Sequence, residues 1–334
     1  MKFNFHIFIQ SKKLLLTAFF LVFAVGVGFG QLMSLGLQKP RSTNSDRIHL
    51  NPSYSYINPL LECDSAVENF GSFQRVEGKL EEYIDSEVRK GHISATSVYL
   101  RDLNNGPWVG INEKDEFSPA SLIKVPLLIA YLKQAEENPS LLEIPLTINN
   151  IDAYKDQNLI PSTLLGLGQQ YKTIDLLRQM IVYSDNVAYE ALNANFSGPD
   201  LIATYQDFGI DISKGLSDPS GNILSVKDYA SFFRILFNAS YLSEKNSELA
   251  LEILTQSKYE DGLRAGVPSN IAIAHKFGER RYLLTSETQL HDCGIVYLPE
   301  NPYLLCVMTK GTDFNLLTSV IAEISRIVYL NVSQ

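Results

Sequence analysis

Cysteine and histidine are scarce in this 334-residue chain, and neither is arranged for metal or redox chemistry. The three cysteines, Cys63, Cys293 and Cys306, match no zinc-binding spacing and contain no CxxC pair. The five histidines are scattered along the chain. We therefore expect no metal site and no cofactor. The simplest interpretation of the cysteines is that they are small buried or strand residues, and a disulfide is the alternative if the domain lies outside the cytosol.

Clustered positive charge is also missing. The formal net charge is −9, and no group of lysines and arginines is interleaved with aromatic residues. This balance argues against nucleic acid as the main partner. The hydrophobic fraction of 45% is normal for a globular protein with a sizeable core, and the length allows one large domain or two small ones.

Charged residues are absent from residues 14–38, an apolar run long enough to span a hydrocarbon core. We predict an uncleaved single-pass membrane anchor there, with residues 1–13 in the cytoplasm and the rest extracytoplasmic or periplasmic. A cleaved secretory signal is the alternative. It is less favoured because the apolar run is long for a signal and the small residues after it make a poor cleavage site.

The pattern after the anchor predicts a linker over residues 39–72, rich in Ser, Asn, Pro and Tyr, and one domain over 73–334. Strand patterns lie near both ends of this domain, over 94–112 and 271–309, and helical patterns fill about 116–265. The economical architecture is α/β (α+β): a five-stranded antiparallel sheet flanked by terminal helices, with an inserted all-helical lobe. A functional site is expected in the cleft between sheet and lobe.

The first of three chemical motifs is F-S-P-A-S-L-I-K at residues 117–124. It predicts a helix start, with Ser118 as N-cap and Pro119 at the first helical position. Ser121 and Lys124 are three residues apart and so share one helical face. A hydroxyl beside an amine near the positive end of a helix dipole is a candidate activated nucleophile.

Two further motifs follow in order. Y-S-D-N at residues 183–186 ends a helix that begins near Thr173, and puts a hydroxyl and an amide at a turn of the lobe. H-K-F-G-E at residues 275–279 lies on the first strand after the lobe. It puts a cation and a glycine that permits close approach on a sheet edge facing the lobe.

The order S-x-x-K, S-D-N, K-x-G resembles the motif set of the penicillin-recognising serine enzymes, specifically the class A β-lactamase-like branch. The resemblance covers about residues 76–330, and it implies the β-lactamase/transpeptidase-like fold. Each motif is common by itself. Three in this order, at the expected junctions between elements, make the resemblance specific.

The resemblance implies a role for each matched residue. Ser121 would attack a carbonyl and form an acyl-enzyme, and Lys124 would take its proton or support the group that does. Ser184 would relay a proton to the leaving nitrogen. Asn186 would hold the amide of the substrate's side chain, and Lys276 would attract the substrate carboxylate.

The same resemblance implies an oxyanion hole made by the backbone amides of Ser121 and Glu279. Gly278, which precedes Glu279, is counted with the substrate-binding residues. Asp185 is expected to be structural, bonding backbone in its turn.

The chain departs from the family pattern at Phe277, where the family has Thr or Ser. A hydroxyl that would bind the substrate carboxylate is therefore absent, and Arg280 or Arg281 are candidates to replace it. A local rule is also broken at Pro126, which follows Lys124 inside a helical pattern and removes a bond to the Leu122 carbonyl.

The second departure lies in a loop where class A β-lactamases carry E-P-x-x-N, whose glutamate activates the deacylating water. Residues 218–222 read D-P-S-G-N, which keeps the spacing with a carboxylate one methylene shorter. Asp218 is thus a candidate deacylating base. In the alternative interpretation, Ser220 and Gly221 form the S-G turn of the peptidases of the superfamily.

The sequence therefore predicts a membrane-anchored serine hydrolase acting on β-lactams or on the D-alanyl-D-alanine ends of cell-wall peptides, with a response to antibiotic implied. β-Lactamase and DD-peptidase activities are both left open. The alternative is a non-turnover cell-wall-binding or β-lactam-sensing domain on a membrane tether. We expect a monomer whose partners are the small-molecule substrate and the membrane.

Overall fold

In the computed structural model of the chain, the described residues are 54–59, 70–104, 106–157, 159–212 and 221–333. The predicted anchor and Asp218 lie outside them. Within these ranges, no helix combines the length and the apolar character needed to cross a membrane.

The described residues form nine strands and eight α-helices, with helices concentrated between β5 and β7. The strands are β1 (Ala95–Asp102), β2 (Trp108–Ile111), β3 (Glu116–Phe117), β4 (Pro145–Thr147), β5 (Gln170–Lys172), β6 (Leu224–Ser225), β7 (Ile273–Arg281), β8 (Thr288–Val296) and β9 (Tyr303–Gly311). The helices are α1 (Phe70–Arg89), α2 (Lys124–Glu137), α3 (Thr173–Val182), α4 (Asn186–Ala194), α5 (Gly198–Asp207), α6 (Val226–Phe237), α7 (Glu244–Thr255) and α8 (Phe314–Val332).

Five of these strands form one antiparallel sheet in the order β2-β1-β9-β8-β7. β1 pairs with β9 over its whole length, from Ala95 opposite Lys310 to Asp102 opposite Tyr303. The sheet is therefore built from both ends of the domain, with the helical lobe inserted between β2 and β7. The fold class predicted from the sequence is confirmed.

Both faces of the sheet are covered, because alternate residues of each strand enter different hydrophobic cores. Along β9, Leu305 and Val307 pack with α1 and α8. Cys306 and Met308 belong to the core of the helical lobe. Burial on both faces explains why β8 is buried at every position.

The sequence left open whether the cysteines are free or form a disulfide, and the structure answers this for the two cysteines of the sheet. Cys293 on β8 lies directly opposite Cys306 on β9, and a disulfide joins them. Both residues are fully buried on the face that meets the helical lobe. Cys63 lies outside the described residues.

A short segment inside the predicted linker is bound to the lobe. Glu248 of α7 accepts the backbone N–H groups of Ser55, Tyr56 and Ile57 at 2.6, 2.9 and 3.1 Å. A single carboxylate with two oxygens can hold three donors in this way. Residues 54–59 therefore lie against the domain.

The helix start predicted at Ser118 is wrong. The chain forms a 3₁₀ turn over Ala120–Ile123, called here the Ser121 turn, and α2 begins only at Lys124. Pro119 occupies the cap position without a side-chain cap bond. Pro126 consequently lies in the first turn of α2, where backbone N–H groups have no helical partner and proline is tolerated.

Candidate active site

The Ser121 turn brings the first motif together as expected. The Lys124 ammonium nitrogen, Nζ, lies 2.7 Å from Ser121 Oγ and 2.7 Å from Asn186 Oδ1. Ala120, just before the serine, has a φ of 47°, in the left-handed region that costs a non-glycine residue energy. The backbone strain thus falls next to the residue predicted to react.

Lys124 is only 2% exposed, and burial is the main influence on its charge. Burial lowers the pKa of Lys124 to about 7, although the nearby Asp185 and Glu279 oppose the shift by raising it. Near neutral pH a large share of Lys124 is therefore the neutral amine. A neutral amine has a lone pair that can accept the Ser121 hydroxyl proton across the same contact.

Ser184 and Lys276 form a second hydroxyl–amine pair. Lys276 Nζ donates to Ser184 Oγ at 2.8 Å and to the Phe277 carbonyl at 2.7 Å. Lys276 is completely buried, and burial together with the neighbouring Lys124 charge holds the pKa of Lys276 well below its usual range. Ser184, like Ala120, has a left-handed backbone, with a φ of 54°.

Asp185 behaves as a structural residue of this turn. It is the N-cap of α4, accepting the Ala188 N–H at 3.0 Å. The other carboxylate oxygen accepts from the Tyr154 hydroxyl and from the Gln179 amide, each at 3.1 Å. These bonds fix the turn that carries Ser184 and Asn186.

β7 packs closely against the Ser121 turn at Gly278. A Cβ atom at this position would lie 3.1 Å from the Leu122 nitrogen and 3.1 Å from the Pro119 carbonyl oxygen. Both neighbours are backbone atoms with little room to move. The close approach predicted for this glycine therefore sets the spacing between strand and nucleophile.

The cleft contains predicted residues and others that the sequence did not indicate. Gln157 Oε1 accepts the Asn186 N–H at 2.8 Å, and nothing in the local sequence of Gln157 signals that contact. The residues lining the cleft are Ser121, Gln157, Leu159, Tyr183, Ser184, Asn186, Phe277 and Glu279.

Neither arginine proposed to replace the missing hydroxyl is among the described residues that line the cleft, so that expectation is wrong. Arg280 donates from Nη1 to Ser118 Oγ at 2.9 Å, behind the Ser121 turn. The Arg281 guanidinium lies 5.0 Å from the centre of the Phe314 ring. Alternation along β7 puts Arg280 on the face opposite to Phe277 and Glu279, whereas Arg281 shares their face but is the last residue of the strand.

The Ser121 turn is tied to β8 by two side chains that sequence reasoning missed. Gln289 Oε1 accepts the Ser118 N–H at 3.0 Å. His291 Nε2 donates to the Ser118 carbonyl at 2.9 Å, while its Nδ1 accepts the Thr309 N–H at 3.3 Å. These partners require the neutral ring, and burial lowers the pKa of His291 to about 4.

Asp218 lies outside the described residues, but Asn222, at the end of the same motif, can be placed. Its Oδ1 accepts from Gln289 Nε2 at 3.1 Å. Since Gln289 also binds Ser118, the end of the loop is connected through one side chain to the segment before Ser121.

Comparison with known proteins agrees with this geometry. The model of the beta-lactamase enzyme family matches residues 79–332. The chain is 22% identical over 236 residues to the extended-spectrum beta-lactamase PER-1 of Pseudomonas aeruginosa, covering 66% of this chain and 76% of that protein. It is 29% identical over 108 residues to the beta-lactamase L2 of Stenotrophomonas maltophilia, covering 32% and 35% of the two chains.

Solved structures share the fold. A mutant of PBP-A, in an acyl-enzyme complex with penicillin-G, superposes with a TM-score of 0.63 at 22% identity, over 77% of this chain and 96% of that chain. The TLA-1 extended spectrum beta-lactamase gives a TM-score of 0.66 at 15% identity, over 79% and 100%. A beta-lactamase from Chitinophaga pinensis gives 0.63 at 23% identity, over 76% and 98%.

Proposed function

Because the chain belongs to the beta-lactamase enzyme family, we propose that it forms an acyl-enzyme on Ser121 with β-lactams or with D-alanyl-D-alanine cell-wall peptides. The observation that carries the proposal is the 2.7 Å contact between Ser121 Oγ and a buried Lys124 amine. A serine hydroxyl is a weak nucleophile until a base within hydrogen-bond distance takes its proton.

In the acylation step, the neutral amine of Lys124 accepts the Ser121 proton as Oγ bonds to the substrate carbonyl carbon. Asn186 Oδ1, which holds another N–H of Lys124, keeps the amine oriented. The carbonyl oxygen becomes an oxyanion. Backbone N–H groups of Ser121 and Glu279 would bind it, an arrangement worth about 3 kcal/mol per donor in other hydrolases.

The carbon–nitrogen bond then breaks, and the leaving nitrogen needs a proton. The Ser184 hydroxyl lies beside the cleft and accepts a hydrogen bond from Lys276. Ser184 can give its proton to the nitrogen and recover one from the lysine pair. The low pKa of Lys276 favours such a transfer.

β-Lactamase and peptidase activities differ in how the acyl-enzyme is cleared. Fast hydrolysis of a β-lactam adduct needs a base that activates water, and Asp218 is the candidate. A peptidase with a β-lactam in its site can hold the adduct far longer. The sensing alternative likewise requires an adduct without turnover.

Intact-mass measurement of the protein incubated with a penicillin tests acylation. We expect an increase equal to the mass of the penicillin, absent in Ser121→Ala. No adduct on the unmodified protein at any time, or an equal adduct on Ser121→Ala, contradicts the proposal. The lifetime of the adduct separates the activities: decay within seconds identifies a β-lactamase, and slower decay in Asp218→Asn assigns the base.

We also propose that residues 14–38 anchor the protein in a membrane with the catalytic domain outside the cytoplasm. The apolar length of that run supports the proposal. After cell fractionation and an alkaline wash, the full-length chain should remain with the membranes. Recovery of a shortened chain in the soluble fraction would identify a cleaved signal instead.

A further inference from the structure

No part of Lys276 is exposed to the cleft. An ammonium has three N–H donors. Two are used by Ser184 Oγ and the Phe277 carbonyl, at 2.8 and 2.7 Å. The nitrogen also lies 4.1 Å from the centre of the Phe277 ring, within the distance at which an aromatic face attracts a cation. The Lys276 nitrogen is therefore fully buried and contacted by groups of the protein itself.

The Phe277 ring is fixed in this place. The Tyr259 ring stacks on it with centres 4.0 Å apart and planes inclined by 16°. Tyr259 and Lys276 Nζ are both about 4 Å from the centre of Phe277, so they occupy opposite faces of the ring. With only 3% of Phe277 exposed, the ring has little freedom to turn aside.

A ligand carboxylate entering the cleft would meet the Phe277 ring at the position where an accessible cation would attract it. It would lose water without gaining a charged partner among the described residues, which is unfavourable. Arg280 and Arg281 point elsewhere, and Lys124 is held by Ser121 and Asn186.

We propose that Phe277 makes this cleft select acyl donors with an uncharged substituent, such as an ester or amide, where a carboxylate would face Lys276. The inference rests on the proposed function, because it concerns ligands of the same cleft. It assigns to Phe277 a role in specificity. The ring lies against the Lys276 nitrogen and presents an apolar wall to a neutral group.

A matched pair of probes tests the inference without requiring chemistry. The probes are a penicillin and its methyl ester, which share the acyl side chain and differ in charge. Binding to the full-length Ser121→Ala protein is measured by calorimetry. We expect the ester to bind at least about tenfold more tightly than the acid, since the acid gives up charge-assisted hydrogen bonds to water, each worth about a factor of ten or more, and finds no charged partner among the described residues.

The variant Ser121→Ala with Phe277→Thr should move the ratio at least about tenfold toward the acid, because it frees Lys276 and adds a hydroxyl. Phe277→Leu in the same background is the matched control. It keeps an apolar wall, so the ester should still be preferred. Unfolding midpoints show whether each variant is folded, and the comparison at unmodified Phe277 stands even if Phe277→Thr does not fold.

Binding of the acid as tight as that of the ester, or tighter, overturns the inference, and so does failure of both probes to bind. Acylation of unmodified Ser121 is measured separately by intact mass. An ester preference in binding without any adduct would end the proposed function and leave the charge selectivity standing. An adduct accompanied by preferential binding of the acid would support the proposed function and overturn the charge selectivity.

Discussion

The hydroxyl of Tyr229 donates to the Leu122 carbonyl at 3.1 Å. Leu122 belongs to the Ser121 turn, which ends where α2 begins. A fully buried side chain of α6 therefore supplies this carbonyl with a donor from another element. The bond ties the Ser121 turn to the helical lobe.

Tyr229→Phe should lower the free energy of unfolding by about 1–3 kcal/mol, because it leaves the buried Leu122 carbonyl without this donor. It should also slow acylation, since the Ser121 turn loses a fixed point. Tyr241→Phe is the control, because its hydroxyl donates to Asp207 at an exposed position and its loss should change stability by less than about 0.5 kcal/mol. Equal stability of the two variants in urea unfolding would contradict the assignment.

The acylation rate should follow the protonation of Lys124. The base is the neutral form, so the rate should rise with pH, about tenfold per unit at acidic pH, and level off above the lysine pKa of about 7. Lys124→Arg, which stays protonated, should lose about 10²–10⁴ in rate at every pH. Rates independent of pH from mildly acidic to mildly basic conditions, measured by stopped-flow or mass, would exclude Lys124 as the base.

Gly278→Ala should slow acylation, because its Cβ, 3.1 Å from the Leu122 nitrogen and the Pro119 carbonyl oxygen, would push the Ser121 turn by a few tenths of an ångström. Gly78→Ala is the matched control. A Cβ at Gly78, in helix α1, meets nothing within 4 Å, and the change should stabilise the protein by about 0.5–1 kcal/mol. Unchanged acylation in a folded Gly278→Ala protein would show that the close approach does not position the serine.

The disulfide between Cys293 and Cys306 should contribute about 2–4 kcal/mol to stability, and replacing both residues by alanine should remove that contribution. Alkylation of the unfolded chain without reductant should label one of its three cysteines, and with reductant all three. Labelling of all three without reductant would show that the pair is reduced in the isolated protein.

The sequence was informative where chemistry or periodicity is local. Alternating apolar residues predicted the strands at both ends of the domain, and the motif order brought Ser121, Lys124 and Ser184 to one cleft. The helix start at Ser118 failed because tertiary bonds from Gln289 and Arg280 use the groups that a cap would have used.

Other parts of the site were beyond sequence reasoning because their partners are far apart along the chain. His291 meets Ser118, and Gln157 meets Asn186, only after the sheet and the lobe have formed. The prediction that Arg280 binds the substrate carboxylate failed for a related reason. Its position along β7 decides which face of the sheet its side chain lies on, and its partner Ser118 is far away in the sequence.

The pairing of β1 with β9 has a consequence for how the protein is made. Ala95 leaves the ribosome long before its partner Lys310, so β1 waits with one edge open while the helical segments are synthesised. Pairing between such distant segments is slow, because the chain must close a long loop before any contact stabilises it. The catalytic cleft is therefore a late product of folding, and nascent chains interrupted before β9 should be inert and dependent on chaperones.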